Sequence, residues 1–268
     1  MRGQITMKIF ECLFETHKKV KLLENEIKEL KDQLKEQSEN FSEILKITRD
    51  TNEKLYRCDW EPKQNIRQEL YEIARMETAS YISEKMESVK AFNVTLDILS
   101  YAVSNSLVEG SYLEFGVFSG RAINHIAEKA PDKIIYGFDC FEGLPETWRS
   151  GFEKGCFKVD NLPKVKENVK LVKGLFQDTL PKFIEEHREK CALIHIDCDL
   201  YSSTVCVLEN LKERIVSGTI IVFDEYFNYP GWKNGEFKAF QEFVKKYNIK
   251  YEYIAYVEIS EQVAIKII

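Results

Sequence analysis

The chain has 268 residues, of which 44% are hydrophobic and 31% charged, and its formal net charge is -6 at pH 7. A chain of this size can bury one sizeable core, and its mildly acidic charge gives little support to binding of a nucleic-acid backbone. Seven cysteines, none spaced as CxxC, predict neither a disulfide framework nor a thiolate zinc site, and they fit a reducing cytoplasm.

The N-terminal segment carries a short apolar patch that Glu11 and Glu15 interrupt, and no small-residue cleavage site follows it. We therefore expect no signal peptide. No run in the chain approaches the roughly 18 apolar residues of a membrane span, so we expect no span either.

Residues 1–58 form the first predicted domain, an N-terminal helix with a heptad repeat. Lys and Glu fill most positions outside the a and d seam, which predicts a coiled coil of about four heptads. The seam consists of Val20, Leu23, Ile27, Leu30, Leu34, Gln37, Phe41, Ile44 and Leu55. This pattern favours a homo-oligomer paired through the seam, and the alternative is a single amphipathic helix folded onto the body of the protein.

Residues 59–110 form the second predicted domain, a helical cap. The segment from Asp59 to Pro62 predicts a break, because the residue before a proline is pushed out of the helical region. Helical periodicity resumes from Gln64 to Asn105. Its candidate buried positions are Ile66, Leu70, Ile73, Ile82, Met86, Val89, Phe92, Leu96 and Leu99.

Residues 111–268 form the third predicted domain, in which short apolar strands alternate with helices. The strands are YLEFGV, IIYGFD, NVKLVKG, CALIHID, TIIVFDE, YEYIAYV and QVAIKII. Helices are predicted at 121–130, 177–189, 202–215 and 236–247. Strands apolar on both faces and separated by helices predict an α/β, Rossmann-like sheet that is mostly parallel. The last two strands are so close in the chain that they predict a hairpin, and hence an antiparallel last strand.

The first strand of this domain ends in a turn, Glu114 to Arg121, that opens a helix. The bare backbones of Gly116 and Gly120 would let a ligand approach the helix N-terminus closely, although a plain strand-to-helix turn has the same pattern. The spacing is GxxxG rather than GxGxxG, so a nicotinamide oxidoreductase is disfavoured.

The second and third strands offer polar side chains at the same edge of the sheet. Asp139 ends the second strand, where an acid can accept hydrogen bonds from ribose hydroxyls. Gln177 follows the third strand, where its amide could read an adenine edge. Together they favour an adenosine-type ligand, and a solvated acidic turn at Asp139 is the alternative.

Four acids follow the next two strands: Asp197 and Asp199 after CALIHI, and Asp224 and Glu225 after TIIVF. If these strands are neighbours, their ends lie only about 5 Å apart. Carboxylates that close repel one another unless they are protonated or bridged by a cation. Oxygen ligands select a hard divalent ion such as Mg²⁺. The alternative is that the acids cap the helices that follow.

Aromatic residues occupy two loops, after the second and fifth strands. We expect half of them to be core and the others to line a lid over the crevice. They are Trp148, Phe152, Phe157, Tyr226, Tyr229 and Trp232. His195 is expected to be a buried, hydrogen-bonded strand residue.

Five phrases stand in order between Leu113 and Trp232, within a region of resemblance that covers about residues 75–268: LEFGVFSGRAI, GFDCFEGLPE, GLFQDTLP, IDCDLYSST and FDEYFNYPGW. Together they resemble the macrocin O-methyltransferase-like family of class I, metal-dependent enzymes that use S-adenosylmethionine. The resemblance implies a class I methyltransferase sheet, S-adenosyl-L-methionine as cofactor, and Mg²⁺ or another hard divalent cation. The heptad region lies outside it.

The resemblance also implies a role for each matching residue. The methionine part of the cofactor would be held by Glu114, Gly116, Phe118, Ser119 and Gly120. Asp139 would hold the ribose and Gln177 the adenine edge. The implied metal ligands are Asp197, Asp224 and Glu225, with Asp199 as general base. This family more usually has Asp where Glu225 stands, so direct ligation by Glu225 is left open.

The implied reaction is in-line transfer of a methyl group from a sulfonium to a hydroxyl that a cation and Asp199 make nucleophilic. The expected acceptor is a sugar hydroxyl on a surface polysaccharide, a nucleotide sugar or a glycosylated natural product. The alternative is a coiled-coil interaction or scaffold protein whose globular domain binds adenosine without catalysis.

Overall fold

The computed structural model describes residues 65–268 and, between 18 and 49, all residues except 20, 22, 24–26, 29 and 36. The chain divides into two compact units, Met1–Ile66 and Arg67–Ile268. The predicted break from Asp59 to Pro62 and the predicted domain boundary after residue 58 lie outside the described residues.

In the first unit, the described residues between 18 and 49 are helical. The apolar seam residues described there are each more than half exposed: Leu23, Ile27, Leu30, Leu34, Phe41 and Ile44. The hydroxyls of Ser42 and Thr48 donate to carbonyls one turn earlier in the helix. Pairing of this seam with a second copy stays a prediction, and Val20 and Leu55 lie outside the described residues.

The second unit is built on one eight-stranded sheet. Its strands are β1 Lys90–Phe92, β2 Ser111–Phe115, β3 Ile135–Asp139, β4 Val169–Lys173, β5 Cys191–Ile196, β6 Ile220–Phe223, β7 Tyr251–Val257 and β8 Val263–Ile267. Their order is β1-β7-β8-β6-β5-β2-β3-β4. Only β8 runs antiparallel to its neighbours. The predicted Rossmann-like sheet, mostly parallel with an antiparallel last strand, is confirmed, and β1 adds an edge strand that the sequence pattern does not predict.

Helices cover both faces of this sheet. They are α1 Ile66–Lys85, α2 Thr95–Asn105, α3 Arg121–Lys129, α4 Phe176–Glu186, α5 Tyr201–Leu211 and α6 Glu236–Tyr247, with a short 3₁₀ helix at Trp232–Asn234. Buried residues of α2 and α3 form one core with the strands, and those of α1, α4, α5 and α6 form the other. Within the described part of the chain, no helix has both the length and the apolar character that crossing a bilayer requires.

The first half of α1 differs from its prediction. Ile66, Leu70 and Ile73 were expected to be buried, but they are 70%, 47% and 56% exposed. The buried residues of α1 are Ala74 and Thr78, further along the helix. Periodicity predicts which face of a helix is apolar. It does not predict which part of that face packs against the rest of the protein.

Candidate active site

A cavity of about 570 Å³ opens at the carboxyl edge of the parallel strands. It lies where the strand order reverses, between β2 and β5, which is the usual ligand position in an open α/β sheet. Each of five successive strands contributes a lining residue at its end: Gly116, Asp139, Gly174, Asp197 and Glu225.

The two acid-bearing strands are neighbours, which meets the condition on which the predicted acid site depends: β5 and β6 pair in parallel with Ile196 opposite Phe223. The hydrogen-bond ladder continues one residue further. The N–H of Asp197 donates to the carbonyl of Phe115 at 2.8 Å, and the N–H of Asp224 donates to the carbonyl of Ile196 at 2.9 Å. This register places Asp197 beside Asp224.

Two overlapping sets of side chains converge there. Carboxylate oxygens of Asp197, Asp199 and Glu225 lie within 4.8 Å of one another, and so do ligand atoms of His195, Asp197 and Asp224. The four acids are therefore brought together, and we call them the acid cluster. The three carboxylates of the first set offer the oxygen donors that a hard cation prefers, whereas the second set includes a nitrogen of His195.

Asp199 has a strained backbone with φ of 62°. It is the central residue of a tight turn in which the N–H of Leu200 donates to the carbonyl of Cys198 at 2.6 Å. The next helix, α5, has no side-chain cap. No helix begins directly after Glu225 in the described chain. The alternative that these acids cap helices is therefore wrong, and the strain at Asp199 is of the kind found at functional sites.

His195 is buried, as expected, between two carboxylates. Its Nδ1 lies 3.1 Å from Oε2 of Glu114, and its Nε2 lies 3.7 Å from Oδ1 of Asp224. Burial alone would lower the pKa of His195, but Asp224 and Glu114 raise it well above its usual value. Burial would raise the pKa of Asp224, but His195 outweighs this effect and lowers it. Both shifts favour the charged forms of His195 and Asp224. Glu114, which was predicted to contact the cofactor, lies fully buried behind His195 and does not line the cavity.

The other acids of the cluster hold protons more tightly than usual. Burial, with repulsion from Asp224, raises the pKa of Asp197 and of Glu225 well above the ordinary range. Burial raises the pKa of Asp199 to about 7, although Arg149 opposes the shift. Full ionisation of the cluster is therefore disfavoured, first by burial and then by repulsion between the carboxylates.

Glu236 is a fifth acid that the sequence pattern does not single out. It is fully buried at the start of α6. Its Oε2 accepts the N–H of Glu225 at 3.0 Å, and its Oε1 has no hydrogen-bond partner. Burial raises the pKa of Glu236 well above its usual value. An acid in the first turn of a helix is ordinarily exposed, so nothing in the sequence marks this one as part of the site.

Asp139 lines the cavity, as predicted, but its carboxylate is already engaged. Its Oδ2 accepts the N–H groups of Val117 and Phe118 at 2.9 and 2.8 Å, and its Oδ1 accepts the N–H of Phe141 at 2.6 Å. A carboxylate has about four acceptor sites. One site is therefore left for a ligand hydroxyl, rather than the pair that the sequence suggested.

The turn after β2 is shaped by Gly116. A Cβ at this position would lie 1.6 Å from the carbonyl oxygen of Asp197. Glycine is thus required for the backbone to pass beside the acid cluster, and not only for ligand approach. Phe118 and Gln177 line the cavity, whereas Ser119 and Gly120 do not. Gly120 instead begins α3 from a left-handed conformation with φ of 79°.

The two aromatic loops divide as expected. Tyr226, Tyr229 and Trp232 are at most 3% exposed and belong to the core. Trp148, Phe152 and Phe157 line the cavity. They form a row in which Trp148 and Phe152 ring centroids lie 5.1 Å apart and those of Phe152 and Phe157 lie 5.6 Å apart. We call this row the aromatic wall.

The family model for macrocin-O-methyltransferase (TylF) matches residues 18–258. The match begins well before residue 75, so the expectation that the heptad region lies outside the family resemblance is wrong.

Two curated relatives come from Streptomyces. Demethyldecarbamoylnovobiocin O-methyltransferase of Streptomyces niveus is 26% identical over 171 residues, which are 55% of this chain and 63% of the relative. The 8-demethyl-8-(2,3-dimethoxy-alpha-L-rhamnosyl)-tetracenomycin-C 4'-O-methyltransferase of Streptomyces olivaceus is 31% identical over 160 residues, 49% of this chain and 59% of the relative. The chain thus spans about three-fifths of the length of these relatives. A crystal structure of a calicheamicin methyltransferase is 28% identical with a TM-score of 0.49, over 59% of this chain and 72% of that one.

Proposed function

The chain belongs to the macrocin O-methyltransferase family, and we propose that it is an S-adenosylmethionine-dependent O-methyltransferase that acts on a sugar hydroxyl. One observation carries the proposal. The carboxylates of Asp197, Asp199 and Glu225 converge within 4.8 Å at the wall of a cavity that opens at the switch point of the sheet.

The cavity fits the proposed cofactor. Asp139 keeps one acceptor site for a ribose hydroxyl, and Gln177 brings an amide to the cavity at the start of α4. The backbone at Gly116 and Phe118 borders the same space. Bound S-adenosylmethionine would supply an activated methyl group there. We propose that Glu114, Ser119 and Gly120 support this binding by shaping the turn, since they lie off the cavity surface.

The acid cluster fits a hard divalent cation such as Mg²⁺. Oε2 of Glu225 is buried without a hydrogen-bond partner. The raised pKa values of Asp197 and Glu225 reflect burial and repulsion from Asp224, which disfavour the charged carboxylates, and a bound cation would stabilise those charged forms. We propose Asp197, Asp224 and Glu225 as the ligands. A bound cation would supply a Lewis acid that lowers the pKa of an acceptor hydroxyl.

Asp199 is the proposed general base. It shares the cavity wall with Asp197 and Glu225, so it lies beside the proposed metal ligands. Its pKa of about 7 lies near the pH at which an enzyme in a neutral compartment works, and this match favours proton transfer. The tight turn around Asp199 directs its side chain to the cavity wall, and a base must be positioned in this way for efficient transfer.

The acceptor is proposed to be a sugar on a glycosylated natural product, a surface polysaccharide or a nucleotide. Both curated relatives are named as O-methyltransferases, and the tetracenomycin enzyme's name includes a rhamnosyl group. In this chain, the aromatic wall offers a flat apolar surface on which a sugar face can stack. The wall and the acids line the same cavity, so the sugar could present a hydroxyl to Asp199.

We also propose that the chain forms a homo-oligomer through the exposed seam of its N-terminal helix, and that it works in the cytoplasm. The seam residues are apolar and more than half exposed, as expected of a coiled-coil surface without its partner. The five cysteines that the structure describes are free thiols, which suits a reducing compartment.

The direct test is transfer of a labelled methyl group from S-adenosylmethionine to a panel of glycosides, glycans and sugar nucleotides, with and without Mg²⁺. We expect transfer to at least one sugar, and loss of transfer with EDTA. Asp199→Asn should lower kcat by roughly 10²-fold or more while binding of S-adenosylhomocysteine is kept. Asp197→Asn should abolish binding of Mn²⁺, a hard divalent cation used in place of Mg²⁺, as measured by calorimetry.

The exposed Asp132 provides a matched Asp→Asn control that should change neither property. Binding of S-adenosylhomocysteine with no transfer to any acceptor, and no effect of metal or of Asp197→Asn, would instead favour the scaffold alternative.

A further inference from the structure

Arg149 is a cavity-lining cation that none of the preceding roles uses. It lies in the loop between β3 and β4, in sequence between two members of the aromatic wall, Trp148 and Phe152. Its side chain is only 22% exposed. The guanidinium carbon lies 3.9 Å from the ring centroid of Trp148 and 4.5 Å from that of Tyr229. Arg149 is therefore sandwiched between the wall and the loop that follows β6.

The same guanidinium forms an ion pair with the turn between β7 and β8. Nη1 of Arg149 lies 3.3 and 3.2 Å from the two carboxylate oxygens of Glu261, whose side chain is 20% exposed. Removing one partner of a charge pair this shielded from water is costly, because the other charge is left without compensation.

Glu261 also binds the loop that carries the acid cluster. Its carbonyl accepts the N–H groups of Tyr226 and Phe227 at 3.0 and 3.4 Å, directly after Glu225. Glu261 thus holds Arg149 through its side chain and the chain next to Glu225 through its backbone. The loop that carries the aromatic wall and the loop that follows β6 therefore both bond to Glu261.

Arg149 is coupled to the wall through its backbone as well. The N–H of Phe152 donates to the carbonyl of Arg149 at 2.8 Å, and the N–H of Trp148 donates to the carbonyl of Phe152 at 3.0 Å. These two bonds close a short turn that carries both rings, and the guanidinium lies 3.9 Å from the Trp148 ring centroid and 5.4 Å from that of Phe152.

Arg149 is poorly placed to bind an anionic group of the acceptor. Its charge is already paired with Glu261. Its contacts point to a role in holding the two loops rather than in recognising charge.

We propose that Arg149 is a positioning residue, which together with Glu261 sets the distance between the aromatic wall and the acids at the end of β6. This inference rests on the proposed function, because that distance matters when a sugar stacks on the wall and presents its hydroxyl to the acids. A displacement of about 1 Å between a binding surface and the reacting groups is enough to cost a large factor in rate.

The test compares Arg149→Ala with the charge reversal Arg149→Glu/Glu261→Arg. Arg149→Ala should raise the acceptor KM roughly tenfold and lower kcat, while the affinity for S-adenosylhomocysteine stays at the wild-type value. The double variant should recover part of the loss, whereas Glu261→Arg alone should not. Lys166→Ala removes an exposed pair with Glu128 and serves as the matched control.

A second readout does not depend on activity. Hydrogen exchange of residues 142–160 should increase in Arg149→Ala and return toward the wild-type level in the double variant. If wild-type protein transfers no methyl group to any sugar, the proposed function fails. The exchange data still test whether the Arg149–Glu261 pair connects the aromatic wall to the loop after β6. Wild-type acceptor KM and unchanged exchange in Arg149→Ala would overturn the proposal, and so would a loss of cofactor affinity equal to the loss of acceptor affinity.

Discussion

The backbone N–H of Glu225 donates to Oε2 of Glu236 at 3.0 Å. A buried acid of α6 therefore hydrogen-bonds to the backbone of a candidate metal ligand. The side chain of Glu225 is one methylene longer than an Asp side chain would be. Its carboxylate still reaches the oxygens of Asp197 and Asp199 within 4.8 Å. The contact from Glu236 fixes the backbone from which that longer side chain extends.

Replacement of Glu236 should therefore change metal affinity. In Glu236→Ala the N–H of Glu225 loses its acceptor, and we expect Mn²⁺ affinity to fall roughly tenfold, as is typical for loss of a group that orients a ligand. Glu236→Gln keeps a carbonyl oxygen that can accept this N–H, so its Mn²⁺ affinity should fall less than that of Glu236→Ala. Calorimetric titration with Mn²⁺ measures both, with Glu213→Gln as an exposed control. Equal affinities in the Ala and Gln variants would show that the acceptor is unimportant.

The stability of the metal-free protein should fall as pH rises from about 5 to about 8. Asp199 has a folded-state pKa of about 7 against an ordinary 3.8, so in this range the folded state binds a proton that the unfolded state has lost. The raised pKa values of Asp197 and Glu225 act in the same direction. The raised pKa of His195 also gives stability that is present at low pH and lost as pH rises. Stability falls wherever the folded state binds more protons.

Thermal unfolding in EDTA, followed across this pH range, measures the trend. Mg²⁺ should reduce the slope, because a cation replaces the protons that hold the carboxylates together. The lowered pKa of Asp224 has the opposite sign, but it acts only below its ordinary value of 3.8 and so outside this range. A Tm that rises with pH in EDTA would show that the pKa values of these acids are not raised in the folded state.

His195 should be important for stability as well as for the site. His195→Leu leaves Glu114 and Asp224 without their shared partner, and removing one side of a buried charge pair typically costs about 3–5 kcal/mol. Urea unfolding measures the loss in free energy of unfolding. The double variant Glu114→Leu/His195→Leu removes the buried carboxylate too and should recover part of that loss. If the double variant loses the sum of the two single losses, the two residues are not coupled.

Much of the fold and of the site was predictable, because the informative patterns are local. Strand ends carry the acids, and parallel strands bring their carboxyl ends to one edge, so Asp197 and Asp224 meet once β5 and β6 are neighbours. Arg149 and Glu261 are 112 residues apart in the chain, and each resembles an ordinary surface charge in sequence. The strand β1 has only three residues, too few to show a periodicity. Contacts that depend on tertiary structure alone are what the sequence does not reveal.

Self-association through the N-terminal seam can be tested with substitutions that should change the stability of a monomer very little. Ile27 and Leu34 are 51% and 66% exposed within the chain, so Ile27→Lys/Leu34→Lys should barely change the folding of one copy. Paired across a coiled coil, the same lysines would place like charges in an apolar seam and separate the chains. Sedimentation equilibrium should then show a fall in mass to that of the 31.4 kDa monomer, while Lys35→Ala, at an exposed position of the same helix, leaves the oligomer intact.

Removal of residues 1–63 should give the same monomeric state. An oligomer that persists in both the double-lysine and the truncated protein would place the interface elsewhere.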